Sequence, residues 1–221
     1  KKRYCLWLKD CPNDELSKMP LVKSRVDIVR DFRLASAKEA TRRKAKTPTL
    51  FTEDRYIEAD SIIIPRTSAS TRQYIPIGFI DAGVVVSNKA LFIPNCDTYT
   101  FGVLTSSIHM AWMRTVAAYL GTSYSYGTTT VYNTFPFCEP SLKQKSAIEA
   151  SAQKILDVRA KYSDATLADL YDELSMPKDL RDAHRKNDFA VAKAYGWEKF
   201  LADEPKITVE LLKLYKNLTE A

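Results

Sequence analysis

Apolar positions change period twice along the chain, and each change predicts a different kind of element. Val22, Val26, Val29 and Phe32 fall three or four apart, with Ile28 and Leu34 beside them, the spacing of one helix face. Pro20 suits a first helical position, where its missing N–H is no loss, and Thr47-Pro48 stops the run. The pattern predicts one long helix over about 20–46, packed along that stripe. Ahead of it, Tyr4-Cys-Leu-Trp-Leu8 reads as a short buried strand, closed by a turn at Pro12-Asn13-Asp14.

From 56 to 104 the runs are short, β-branched or aromatic: Ser61–Pro65, Tyr74–Ile80, Val84–Ser87 and Ala90–Ile93. The turns between them are too short for parallel crossovers, so the sheet they predict is antiparallel. Pro76 and Pro94 place their segments at edges or in irregular strands. Thr105–Leu120 returns to helical spacing, with Ser106 or Ser107 as N-cap, Gly121 as stop, and Ile108, Trp112, Thr115 or Val116, and Tyr119 as its core stripe. Ser123–Phe137 alternates hydroxyls with aromatics and reads as extended chain.

Beyond Pro140 the pattern is helical. Ile148, Ala152, Ile155 and Val158 mark a helix over 142–162, and Leu167, Leu170 and Tyr171 a short one. Met176-Pro177 opens a third that stops at Gly196, and Thr208 caps the last. The fold class expected is α+β: a small, mostly antiparallel sheet with flanking helices over 1–138, then an all-α helical domain over 139–221.

Composition adds little to this, but charge placement adds something. Hydrophobic residues at 45% and charged residues at 27% are ordinary for a folded chain. No apolar run is long enough for a membrane helix, and no signal-peptide pattern opens the chain, which begins with Lys and is expected to be part of a longer protein. The net charge is +6, and residues 22–46 hold nine Lys or Arg against three Asp or Glu. A localised basic face suits a polyanion, and Arg42, Arg43 and Lys44 are its phosphate-binding candidates. A solvated basic helix is the plainer alternative.

Cys5, Cys11, Cys96 and Cys138 lack metal-binding spacing and have only His109 and His184 to help. No metal site is expected, and the thiols fit a reducing, cytoplasmic setting. His109 fits a satisfied core histidine better than a catalytic one, with no acid nearby in sequence to orient it.

Two stretches are candidates for chemistry. Asn133-Thr-Phe-Pro-Phe137 looks superficially like the Asn-Pro-Pro-Tyr/Phe loop of amino-methyltransferases. Thr134-Phe135 stands where the first Pro belongs, however, and no Gly-rich cofactor loop precedes it. Phe135 and Phe137 are therefore expected to be core anchors, and the chain carries no recognisable catalytic motif or cofactor site. Arg66, Ser68, Ser70, Thr71 and Arg72 form a cationic, hydroxyl-rich segment able to hold phosphates. The alternative is that Arg66 and Arg72 pair with acids such as Asp81 or Glu58.

Several longer runs carry a resemblance. Pro65-Arg-Thr-Ser-Ala-Ser-Thr-Arg-Gln-Tyr-Ile-Pro76, Gly102-Val-Leu-Thr-Ser-Ser-Ile-His-Met-Ala-Trp-Met-Arg114 and Val131-Tyr-Asn-Thr-Phe-Pro136 resemble, in order, the C-terminal part of the MmeI-like fused restriction–modification enzymes. So do Ile155–Ala160, Leu167–Tyr171 and Met176–His184. The resemblance implies a DNA target recognition domain followed by a C-terminal helical domain, taken from an adenine-specific methyltransferase. The S-adenosylmethionine site and the methyltransferase domain would lie upstream, leaving no cofactor in this piece.

The resemblance further maps base-reading side chains to Asn88 and Lys89 and to the segment before Val131-Tyr-Asn, here Thr122, Ser123, Tyr124 and Ser125. Relatives often place Arg or Glu there, suited to guanine or cytosine edges. Small hydroxyls instead point to water-mediated contacts, and the target sequence is not legible from them. The implied partner is double-stranded DNA. Two rival readings stay open on the residues alone: a helical protein-interaction scaffold, and single-stranded RNA binding through the Tyr-rich stretch.

Overall fold

The computed structural model describes residues 4–220 and divides the chain into two compact units, Lys1–Tyr56 and Ile57–Ala221. In the first, α1 (Asn13–Ser17), α2 (Pro20–Leu34) and α3 (Glu39–Arg43) are followed by a 3-10 turn over Lys44–Lys46. The single helix expected over about 20–46 is therefore broken after Leu34. Two arginines explain the break. Arg42 Nη1 donates to the carbonyls of Ser36 and Ala37, both at 2.8 Å. The buried Arg33 donates to those of Lys44, Thr47 and Leu50 at 2.9, 3.0 and 2.8 Å. Arg42 thus satisfies two carbonyls that a continuous helix would have used internally, and Arg33 holds the chain that follows.

The expected apolar stripe is also only partly covered: Val26 is buried, whereas Ile28 and Phe32 are 64% and 76% exposed. No strand forms over Tyr4–Leu8. Tyr4 is exposed, and Trp7 instead stacks on Phe51 and meets Tyr56 edge-on, with centroids 5.6 and 4.9 Å apart.

The second unit holds two small antiparallel sheets on a helical support. β1 (Ser61–Pro65) lies between β3 (Gly78–Ile80) and β4 (Ala90–Pro94) in one sheet. In the other, β6 (Ser123–Ser125) lies between β2 (Thr67–Ala69) and β5 (Ala118–Leu120). Residues 74–77 and 84–87, expected in strands, lie outside both sheets. α4 (Thr98–Leu104) and α5 (Ser107–Val116) follow β4, and Ser106 caps α5 as one of the two serines expected. α5 ends at Val116 instead of continuing to Leu120, because Ala118–Leu120 pairs with Ser123–Ser125; Tyr119 is left exposed, not in a core stripe. The extended segment expected to Phe137 is strand only to Ser125, and Thr128–Tyr132 forms a π-helical turn.

α6 (Leu142–Ala160) opens with a capping box between Ser141 and Gln144, and α7 (Leu167–Leu170) with one between Thr166 and Asp169. α8 (Lys178–Tyr195) closes on Gly196 at φ +75°, and α9 (Glu204–Thr219) is capped by Asp203, not Thr208. The class is α+β with a helical C-terminal part, as the sequence pattern implied.

The helices meet the sheets across a buried seam. A Cβ built on Gly102 of α4 would sit 2.7 Å from Ile148 Cγ2 and 3.0 Å from Ala152 Cβ. Only glycine lets α4 approach α6 so closely. Asn187 Nδ2 donates to the Gly102 carbonyl at 2.7 Å. Nearby, Asp188 accepts from Tyr74 Oη at 2.6 Å and from the Ser107 amide at 2.7 Å. Arg159 of α6 donates to the Ile77 carbonyl at 2.7 Å and to Tyr171 Oη. Tyr171 Oη pairs with His184 Nε2 at 2.6 Å, and His184 stacks on Tyr74. Helical side chains thereby hold the chain leading into β3.

Candidate nucleic-acid interface

Residues 61–69 form one extended run that serves both sheets, and Arg66 is where it passes from the first to the second. Its amide donates to the Lys89 carbonyl at 3.1 Å, beside the Pro65–Ala90 pair of the first sheet. Its carbonyl accepts from the Tyr126 amide at 2.8 Å, beside the Thr67–Ser125 pair of the second. Asn88-Lys89 and Ser123–Ser125, separate in sequence, therefore converge on Arg66. Behind them, Tyr126 Oη lies 2.9 Å from Nε2 of the buried His109, whose ring meets Phe135 edge-on. Burial lowers the His109 pKa to about 3 and keeps the imidazole neutral. It is a core histidine, but only half satisfied, since its buried Nδ1 has no partner among the described residues; through Tyr126 it props the strand at Arg66.

Strand parity decides which candidates face outward. Ser68 lies opposite Tyr124, and Tyr124 opposite Tyr119. Ser68 and Tyr124 are only 6% and 7% exposed, and the Tyr119 and Tyr124 rings are 4.9 Å apart. These two candidates turn inward, and burial leaves neither presented for a phosphate or base edge. Ser123 and Ser125 lie on the opposite face of β6 at intermediate exposure, while Thr122, Asn88 and Lys89 are exposed.

The cations divide in the same way. Arg42 is engaged with two carbonyls, and Arg43 pairs with Glu39 at 2.6 Å. Lys44 is exposed. Arg72 is half-buried, its guanidinium reaching the Ala168 carbonyl at 3.3 Å. Arg66 is half-buried, and its Nε has no hydrogen-bond partner. Among the described residues neither Arg66 nor Arg72 pairs with Asp81 or Glu58; the ion pairs lie elsewhere. One exposed cation, Lys89, and the half-buried Arg66 thus adjoin an outward hydroxyl-bearing strand. The sequence did not mark Arg66 as the joint between sheets, although the proline before it signals an irregularity.

The Asn133–Phe137 loop is held as structure. Trp112 Nε1 donates to the Val131 carbonyl and to Thr134 Oγ1, both at 3.2 Å. Phe135 is buried and packs edge-on against Phe137, with centroids 4.8 Å apart. Among the described residues no group of three His, Cys, Asp or Glu could hold a metal, and no helix is long and apolar enough to cross a membrane.

An exposed sheet face at the meeting of two small sheets, braced from behind by helices and a buried polar seam, defines a recognition module on a rigid support. The chain belongs to the MmeI family: residues 1–139 match the MmeI target recognition domain and residues 140–221 the MmeI C-terminal domain. It is 38% identical over 218 residues to DNA methyltransferase A of Bacillus subtilis (strain 168), covering 99% of this chain and 25% of that protein. It superposes on the type IIL restriction–modification enzyme MmeI, solved in complex with DNA, with a TM-score of 0.95 and 41% identity, covering 98% of this chain and 29% of that one. The chain thus spans about a quarter of the length of these relatives.

Proposed function

We propose that this chain is the sequence-reading part of a DNA-modifying enzyme, binding duplex DNA through the face centred on Arg66. The observation that carries the reading is the convergence of Asn88-Lys89 and Ser123–Ser125 on that arginine. Arg66 and Arg72 hold phosphates, which gives affinity, register and salt dependence without sequence information. Asn88, Lys89, Thr122, Ser123 and Ser125 approach base edges, Lys89 as a donor to guanine O6 or N7 and the hydroxyls directly or through water. Lys44 on the first unit is a separate phosphate candidate. Stacking of single-stranded RNA bases is disfavoured because Tyr124 and Tyr126 are buried.

The full-length protein, in this reading, methylates adenine in duplex DNA, and this part fixes which adenine is presented once flipped from the helix. S-adenosylmethionine would supply the methyl group. The described residues do not fit it: the one look-alike loop, Asn133–Phe137, is filled by its own packing. The cofactor belongs to another part of the protein.

Titration of full-length variants with duplex DNA at several salt concentrations tests the division of labour. Arg66→Ala and Arg72→Ala should weaken binding to all sequences and lower the salt slope by about 1 each. Lys89→Ala and Ser123→Ala should instead change which sequence is preferred. An unaltered preference in both of the latter variants would remove the base-reading assignment.

A further inference from the structure

On the outward face of the second sheet, one side chain differs in kind from the rest. By register and alternation that face carries Thr67 and Ala69 of β2, Ser123 and Ser125 of β6, and Ala118 and Leu120 of β5. Five of the six are small. Leu120, paired with Ser123 and 67% exposed, is the one large apolar group on it. It stands at the end of the hairpin, next to the two-residue turn Gly121-Thr122, where Gly121 adopts φ +61°. Tyr119 is on the other face, against Tyr124.

We infer that Leu120 is a further specificity-determining residue, whose isobutyl group packs on the C5 methyl of a thymine in the major groove. The inference rests on the DNA-reading proposal and adds to it an apolar contact among polar ones. The hairpin end of β5 and β6 is a ribbon of the width the major groove admits, and the thymine methyl is the one apolar feature that base edges present there. The small neighbours let the ribbon approach closely, and the exposed Lys89 beside the half-buried Arg66 favours a polyanion there. An isobutyl group can make no hydrogen bond to a phosphate, so proximity to the backbone would leave it without a favourable partner. A solitary exposed leucine is commonplace on protein surfaces; its place in this face, beside Ser123, is what distinguishes it.

The test uses full-length protein. Selection from a randomised duplex library first defines the preferred sequence. Each thymine in it is then replaced by deoxyuridine, which deletes only the methyl group. One such replacement should weaken wild-type binding about fourfold, the weight of one buried methyl group, and should have no effect on the Leu120→Ala variant. Leu120→Ala should keep the affinity of the wild type for duplexes outside the preferred set, which excludes misfolding as the cause. The inference is overturned if the preferred sequence holds no thymine, if no replacement matters, or if the same replacement weakens both proteins equally. A wild type without any sequence preference would instead sink the underlying DNA-reading proposal, so the two failures are distinguishable.

Discussion

Gly102 marks the place where helix packing behind the recognition sheets leaves least room. A methyl group there would lie within van der Waals overlap of Ile148 and close to Ala152 and Asn187 Oδ1. Gly102→Ala should therefore lose about 1–3 kcal/mol by overpacking, even though alanine is the better helix former. The urea midpoint followed by the fluorescence of Trp112 and Trp197, with Trp7 replaced by Phe, reads the change in the second unit. An unchanged midpoint would mean that α4 and α6 separate without penalty.

The buried titratable groups at the seam act in opposite directions with pH. Burial, and secondly the charge of Arg159, depresses the His184 pKa to about 3; burial alone does the same for His109. Their contribution to stability is present above the ordinary 6.5 and is lost as pH falls toward 3. Burial pushes the Asp188 carboxyl up to about 6, although the bonds from Tyr74 and Ser107 favour its charged form. Its contribution is present below the ordinary 3.8 and is lost as pH rises through about 6. Between pH 6 and 4 the histidines destabilise on acidification while Asp188 offsets part of the loss. Asp188→Asn should steepen the acid loss in that window, by at most about 1.4 kcal/mol per pH unit. Parallel pH curves for variant and wild type, by the same urea assay, would contradict it.

At the scale of elements, the hairpin β5–β6 depends on its turn. Gly121 at φ +61° occupies the left-handed region, which a β-branched residue strongly disfavours. Gly121→Val should loosen the hairpin by about 1–2 kcal/mol, speed amide exchange across 118–125 and weaken DNA binding by the full-length protein. Gly121→Asn should do much less, because asparagine tolerates that conformation. Equal exchange rates in both variants would show that the turn does not control the ribbon.

The same hairpin shows what the sequence could and could not display. Local signals located β1, β4, α6 and α8, because β-branched runs, caps and the Gly196 stop act within a few residues. The end of α5 was not legible, since Ala118–Leu120 leaves the helical path to pair with β6. The break after Leu34 is likewise supported by Arg33 and Arg42 reaching distant carbonyls. Among the candidate site residues, the resemblance supplied the two segments, but only strand register showed that Tyr124 and Ser68 turn inward.

At the scale of the whole chain, each compact unit keeps its own arrangement, and the second couples sheets to helices through few side chains. Arg159 bonds the Ile77 carbonyl from α6, and Asp188 of α8 holds both Tyr74 and the start of α5. None of these pairings could be read from spacing, because the partners lie far apart in sequence and meet only through tertiary packing. The helical part thus holds the sheet-bearing chain at fixed points.

The strand shared at Arg66 has a consequence for how such a protein can change over time. Side chains may be exchanged freely on an outward face while the backbone ladder stays as it is. Insertion or loss of a single residue within 61–69 is different in kind: beyond that point it would invert parity, bringing Ser68 to the surface and burying its neighbours. Substitution at fixed length therefore changes what this face presents and leaves the ladder intact, whereas a change of length alters both.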